Sequence, residues 1–121
     1  MFFSVSEWFP AFLLTLAVEI PIAAYLLRRA EPDLPRRLLL VCFANLLTHP
    51  AVWFVFTQLF LIGTPEYTLA AEAWAVGLEA FFYAVTIRGL SPRRAIAIAV
   101  AANVASFAVG RLVVGFGWEV I

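Results

Sequence analysis

The chain has 121 residues, 64% of them hydrophobic and 13% charged, with a mean hydropathy of +0.98. A water-soluble core cannot absorb that much apolar surface, so a soluble catalytic domain is excluded, and no segment resembles a nucleotide or nucleic-acid site. Eight acidic residues offset eight basic ones, all arginine, so the net charge is zero and the information lies in where the charges fall.

Four apolar stretches follow one another, at residues 8–27, 38–62, 69–87 and 95–118. Each is long enough to cross a hydrocarbon core about 30 Å thick as a helix. The connections are short, which makes consecutive helices antiparallel neighbours. The expected fold is therefore all-α, a single transmembrane domain over residues 1–121 built as an up-and-down four-helix bundle. No basic residue precedes the first stretch and no small-x-small cleavage pattern follows it, so it reads as a retained span and the chain as mature protein. Arg28, Arg29, Arg36 and Arg37 flank Glu31 and Asp33 in the first connection, and Arg88, Arg93 and Arg94 mark the third. The positive-inside rule makes both connections cytoplasmic and both termini extracytoplasmic. Glu7, Glu66 and Glu119 fall on the opposite side, with Trp8, Tyr67 and Trp118 placed as an interfacial aromatic belt. Cys42, alone in the second stretch, reads as a packing residue, with no disulfide framework or thiol cluster.

The two hairpins, residues 8–62 and 69–118, can be laid over one another. Glu19 precedes Arg28 by the spacing that separates Glu79 from Arg88. Pro35-Arg36-Arg37 recurs as Pro92-Arg93-Arg94, and Ala44-Asn45-Leu46-Leu47-Thr48 recurs as Ala102-Asn103-Val104-Ala105-Ser106. Repeats of this orientation are related by an axis along the membrane normal, as in a fused hairpin dimer. Counted along the helices from the arginines, Glu19, Glu79, Asn45, Thr48, His49, Asn103 and Ser106 come to the bilayer centre. Facing lipid there costs an ionisable group about 3 kcal/mol, so these faces should point inward. Pro21 and Pro50 free the carbonyls of Ala17 and Leu46 and suggest a cavity beside Glu19 and His49. Glu72 and Arg111 lie at similar depth in the outer half of the last two stretches and suggest an intramembrane ion pair; their repeat counterparts, Phe12 and Trp53, are uncharged.

Three functions compete for this polar layer. As interhelical glue it belongs to a structural or accessory subunit, or assembly factor, of a membrane complex, the reading placed first. Alternatively, Glu19 and Glu79, helped by His49, handle protons or a cation, in which case a homo-oligomer supplies the pathway. No cofactor is evident, and oxygen ligands with one imidazole leave a divalent metal ion as a candidate. An intramembrane enzyme with a Glu base and His49 is the weakest, since HExxH and GxSxG patterns are missing. Small residues at four-residue spacing in the last stretch, Ala97, Ala101 and Ala105, suit close helix contacts inside the bundle or with another subunit.

The segments Glu19-Ile20-Pro21, Asn45-Leu46-Leu47-Thr48-His49-Pro50, paired Glu72 and Glu79, and Asn103-Val104-Ala105-Ser106-Phe107 with Gly110 resemble a family of small four-span bacterial membrane proteins. That family carries no known activity. The resemblance covers nearly the whole chain and implies a bacterial inner membrane. Its members often hold Asn at the position of His49, which moves weight from the imidazole to the carboxylates. The arginines of the cytoplasmic side, Arg28, Arg29, Arg36, Arg37, Arg93 and Arg94, read as contacts for anionic lipid head groups or a partner.

Overall fold

The computed structural model describes residues 3–115, so Trp118 and Glu119 lie outside the described residues. Its helices are α1 (Val5–Leu26), α2 (Leu34–Phe54), the single turn α3 (Phe56–Leu59), α4 (Pro65–Thr86) and α5 (Pro92–Gly115). Among the described residues four segments are long and apolar enough to cross a membrane, Val5–Leu26, Leu34–Leu59, Pro65–Thr86 and Pro92–Val114. They pack up and down in a ring in which α1 meets α2 and α5, and α4 meets α2 and α5. The diagonal pairs, α1 with α4 and α2 with α5, make no close backbone approach.

Every span begins before its apolar run does. Ser4 caps α1 through a reciprocal box, its hydroxyl accepting from the Glu7 N–H at 3.2 Å and its own N–H donating to Glu7 Oε2 at 2.8 Å. Thr64 caps α4 by accepting from the Tyr67 N–H at 3.3 Å, and Pro65 opens that helix, as Pro92 opens α5. Pro35 stands in the first turn of α2, so Arg36 and Arg37 are helical residues and not loop residues. The second stretch, expected as one helix over 38–62, is interrupted at Val55. Just beyond, the Thr57 hydroxyl donates to the Trp53 carbonyl at 2.7 Å, a back-bond that bends helices.

The dense part of the core lies toward the arginine-bearing end. There Leu27, Val41, Ala44, Tyr83, Ile87, Ala95 and Ala99 are buried around one another, and the alanines bring the helix backbones together. The same end is tied by arginine. The Arg36 guanidinium donates to the Thr86 carbonyl at 2.9 Å, closing the C-terminus of α4, and to Glu31 Oε2 at 3.1 Å. Arg37 donates to the carbonyls of Glu31 at 2.9 Å and Pro32 at 3.0 Å, and Arg28 lies 3.9 Å above the Tyr25 ring. Gly89, with φ of 79°, turns the chain between α4 and α5 in a left-handed conformation that side chains disfavour. The outer surface is apolar, with Leu13, Leu39, Phe43, Leu47, Phe81 and Val104 exposed as expected of side chains that meet lipid. Ala97 and Ala101 are on this outer surface as well, while Ala95, Ala99 and Ala102 make the contacts within the bundle.

Candidate functional site

Two carboxyl groups sit inside the bundle at the same level. Glu19 of α1 and Glu79 of α4 are each 1% exposed, and Asn45, Thr48 and Asn103 beside them are almost as fully enclosed. Local helix chemistry aims these donors. The Asn45 amide donates to the Val41 carbonyl at 3.0 Å, Asn103 to Ala99 at 2.8 Å, and the Thr48 hydroxyl lies 3.2 Å from the Ala44 carbonyl. Backbone bonds of this kind fix the rotamer; an asparagine amide keeps a second hydrogen for the bundle interior, whereas the single Thr48 hydrogen is shared with its contact to Glu79.

Glu79 is fully engaged. Its Oε1 accepts from the Thr48 hydroxyl at 3.0 Å and its Oε2 from the Asn103 amide at 2.6 Å. Asn103 thus spends both amide hydrogens, one on its own helix and one on the carboxyl. Glu19 is engaged less tightly. Its Oε1 accepts from the Ser106 hydroxyl at 2.7 Å, while the buried Oε2 makes no hydrogen bond of good geometry and has only the Asn45 side chain near enough for a loose one. A buried, unmatched carboxyl oxygen is costly, about 1–3 kcal/mol or more, and calls for an occupant or a role.

Above this level, away from the arginine end, the bundle does not close. A cavity of about 670 Å³ extends from Glu19, Asn45, Thr48, Asn103 and Ser106 to the Ile62–Pro65 turn that joins α3 to α4. All four spans line it, and Glu79 is kept off the lining, its oxygens covered by Thr48 and Asn103. Glu72 and Arg111 both face it. They do not form the expected ion pair: among the described residues the ion pair present is Arg36–Glu31 at the other end of the molecule. Glu72 is instead within electrostatic reach of both Glu19 and Glu79, so three acidic groups act on one volume. The proline-freed carbonyls play no part in it, since Ala17, Pro21 and Leu46 are exposed on the outer surface.

His49 lines the wall with both ring nitrogens committed. Nδ1 accepts from the Trp8 indole N–H at 2.8 Å, which leaves Nε2 as the protonated nitrogen, 3.2 Å from the Thr15 hydroxyl. Phe12 and Trp53 pack beside the ring, 5.5 Å and 6.3 Å between centroids. An imidazole held this way has no free nitrogen for a metal ion or a substrate. Among the described residues no cluster of three or more His, Cys, Asp or Glu side chains is arranged to hold a metal.

Three contributors were not singled out by the sequence. Trp8 and Tyr67, read as belt residues, serve the interior. Trp8 anchors His49, and the Tyr67 hydroxyl donates to the Val52 carbonyl at 3.3 Å while the side chain lines the cavity. Thr15 lies one helical turn before Glu19, so the i, i+4 spacing was a signal available to find it. Of the arginines expected at the membrane surface, Arg28 is bonded to the last turn of α1, Arg36 to Glu31 and the end of α4, and Arg37 to the first connection, and Arg29, Arg93 and Arg94 are exposed. No family model, curated protein or solved structure matches the chain, so what stands is a small four-span helical protein with two carboxyls buried in its centre.

Proposed function

We propose that this protein is a membrane cation-handling protein whose binding carboxylate is Glu19, reached through the cavity from the extracytoplasmic side. The observation that carries the reading is Glu19 itself, a buried carboxyl on the lining of an open cavity whose Oε2 lacks a close donor. Interhelical glue accounts for Glu79, whose oxygens are both matched, and for the Asn and Thr side chains that match them. It does not account for a carboxyl left half-satisfied beside an opening, which is why the accessory-subunit reading ranks second. A catalytic role for His49 is disfavoured by its two existing bonds.

The bonding pattern also favours the fused-hairpin reading. Glu79 takes a hydroxyl from the other hairpin, Thr48, and an amide from its own, Asn103. Glu19 takes a hydroxyl from the other hairpin, Ser106, and stands beside the Asn of its own, Asn45. These are corresponding residues in the two halves. The site lost its symmetry where one carboxyl was sealed and the other opened. Dense packing toward the arginine end stops the cavity from running through, so passage across the membrane requires either a rearrangement or a second copy of the chain. The arginine distribution supports a cytoplasmic closed end by the positive-inside rule, with both termini outside.

The test is charge displacement on a solid-supported membrane carrying proteoliposomes. Stepping protons, inorganic cations or organic ammonium ions onto the wild type should give a transient that Glu19→Gln abolishes. Silence of the wild type toward all of these, in protein shown to be helical, would sink the proposal.

A further inference from the structure

The cavity also constrains which cation fits, a step that rests on the reading above. Its 670 Å³ falls within the range of pockets that enclose drug-sized molecules, about 300–1,000 Å³, and greatly exceeds what a bare ion needs. A hard divalent ion takes about six or more convergent oxygen ligands, usually several of them carboxylate, whereas the described residues hold no group of three or more His, Cys, Asp or Glu side chains placed to bind a metal and His49 has no free nitrogen. The walls are of another kind. Trp53, Tyr67 and Phe107 present aromatic surface, with Leu14 and Val52 between them. Aromatic faces attract a cation that keeps an apolar body, and a carboxylate oxygen without a donor accepts an N–H from its head. The acidic groups outnumber the one base on the lining, yet Arg111 stands among them without an ion pair and disfavours a second positive charge on the ligand.

We propose that the cavity binds a monovalent organic cation, an ammonium or amidinium head on an apolar body, with the head donating to the Glu19 carboxyl and the body lying against Trp53, Tyr67 and Phe107. Glu72, higher on the wall, adds attraction along the entry route without contacting the head. Glu79 keeps its own donors throughout and acts on the site as a fixed neighbour.

The experiment uses the full chain in lipid nanodiscs and three probes of one shape: phenethylammonium, phenethyl alcohol and 3-phenylpropionate. Binding is read by calorimetry and by tryptophan fluorescence, since Trp53 is on the wall. A charge-assisted hydrogen bond to Glu19 should make the ammonium bind about tenfold or more tighter than the alcohol, with the carboxylate weakest. Glu19→Gln should bring the ammonium down to the level of the alcohol, and Phe107→Ala should weaken phenethylammonium while sparing methylammonium. Equal binding of ammonium and alcohol by the wild type overturns the inference without reference to any variant. A preference for ammonium that survives in folded Glu19→Gln overturns the placement of the head. Charge displacement by Mn²⁺ or protons, lost in Glu19→Gln and matched by no response to phenethylammonium, overturns this inference and leaves the cation reading standing. No response and no binding with any cation takes down both.

Discussion

The bond between Thr48 and Glu79 joins α2 to α4 at 3.0 Å with both partners enclosed, and its removal should be measurable. Thr48→Val keeps the branched shape and deletes the hydroxyl. Glu79→Leu deletes the acceptor and also strands the Asn103 amide at Oε2, so neither single substitution isolates the contact. A double-mutant cycle does, because the backbone bonds of Thr48 and the loss at Asn103 cancel. Polar contacts between membrane helices average about 0.6 kcal/mol and reach about 1.7. This one has a carboxyl acceptor and two enclosed partners, which places it in the upper part of that range, at about 1–1.7 kcal/mol. The assay is reversible unfolding in mixed micelles followed by tryptophan fluorescence, applied to the wild type, both singles and the double. As a control, Phe43→Leu on the exposed surface should shift stability by less than about 0.5 kcal/mol. A coupling energy below about 0.3 kcal/mol, the usual error of additivity, would refute the reasoning that this bond closes Glu79 off.

Two further outcomes follow from the same geometry. Trp8→Phe retains the ring against Phe12 but removes the donor to His49 Nδ1, so it should cost about 1 kcal/mol and change the imidazole nitrogen shifts in an NMR spectrum of ¹⁵N-histidine-labelled protein; unchanged shifts would mean that the bond is not made. Val52→Cys and Thr68→Cys, in a Cys42→Ala background, should react with an impermeant thiol reagent added outside intact cells, and about tenfold faster with a cationic than an anionic one, because Glu19 and Glu72 line the same cavity. Labelling only from the cytoplasmic face would reverse the assigned orientation, and equal rates would remove the acidic field from the account.

Composition and the run lengths of apolar residues were enough to specify four spans, because in lipid every backbone group must be satisfied within its own helix and about 20 residues are needed to cross. The inward direction of Glu19, Glu79, Asn45, Thr48 and Asn103 was equally legible, since lipid exposure of such groups is expensive. Helix starts were misplaced because an apolar run does not register a polar cap: Ser4, Thr64 and the leading prolines begin each helix earlier than hydropathy does. The difference between the two carboxyls was not legible at all. Their sequence surroundings nearly repeat, and only the packing of four helices around an axis decides that Asn103 reaches Glu79 while Glu19 keeps one oxygen without a close donor. The same holds for Glu72 and Arg111, whose similar depth suggested a pair, and for Trp8, whose position suggested an interface. Depth is a one-dimensional quantity that the sequence supplies through the rise per residue. Azimuth, spacing between helices and the void they leave depend on how whole side chains pack against one another, and those were decided by the tertiary structure.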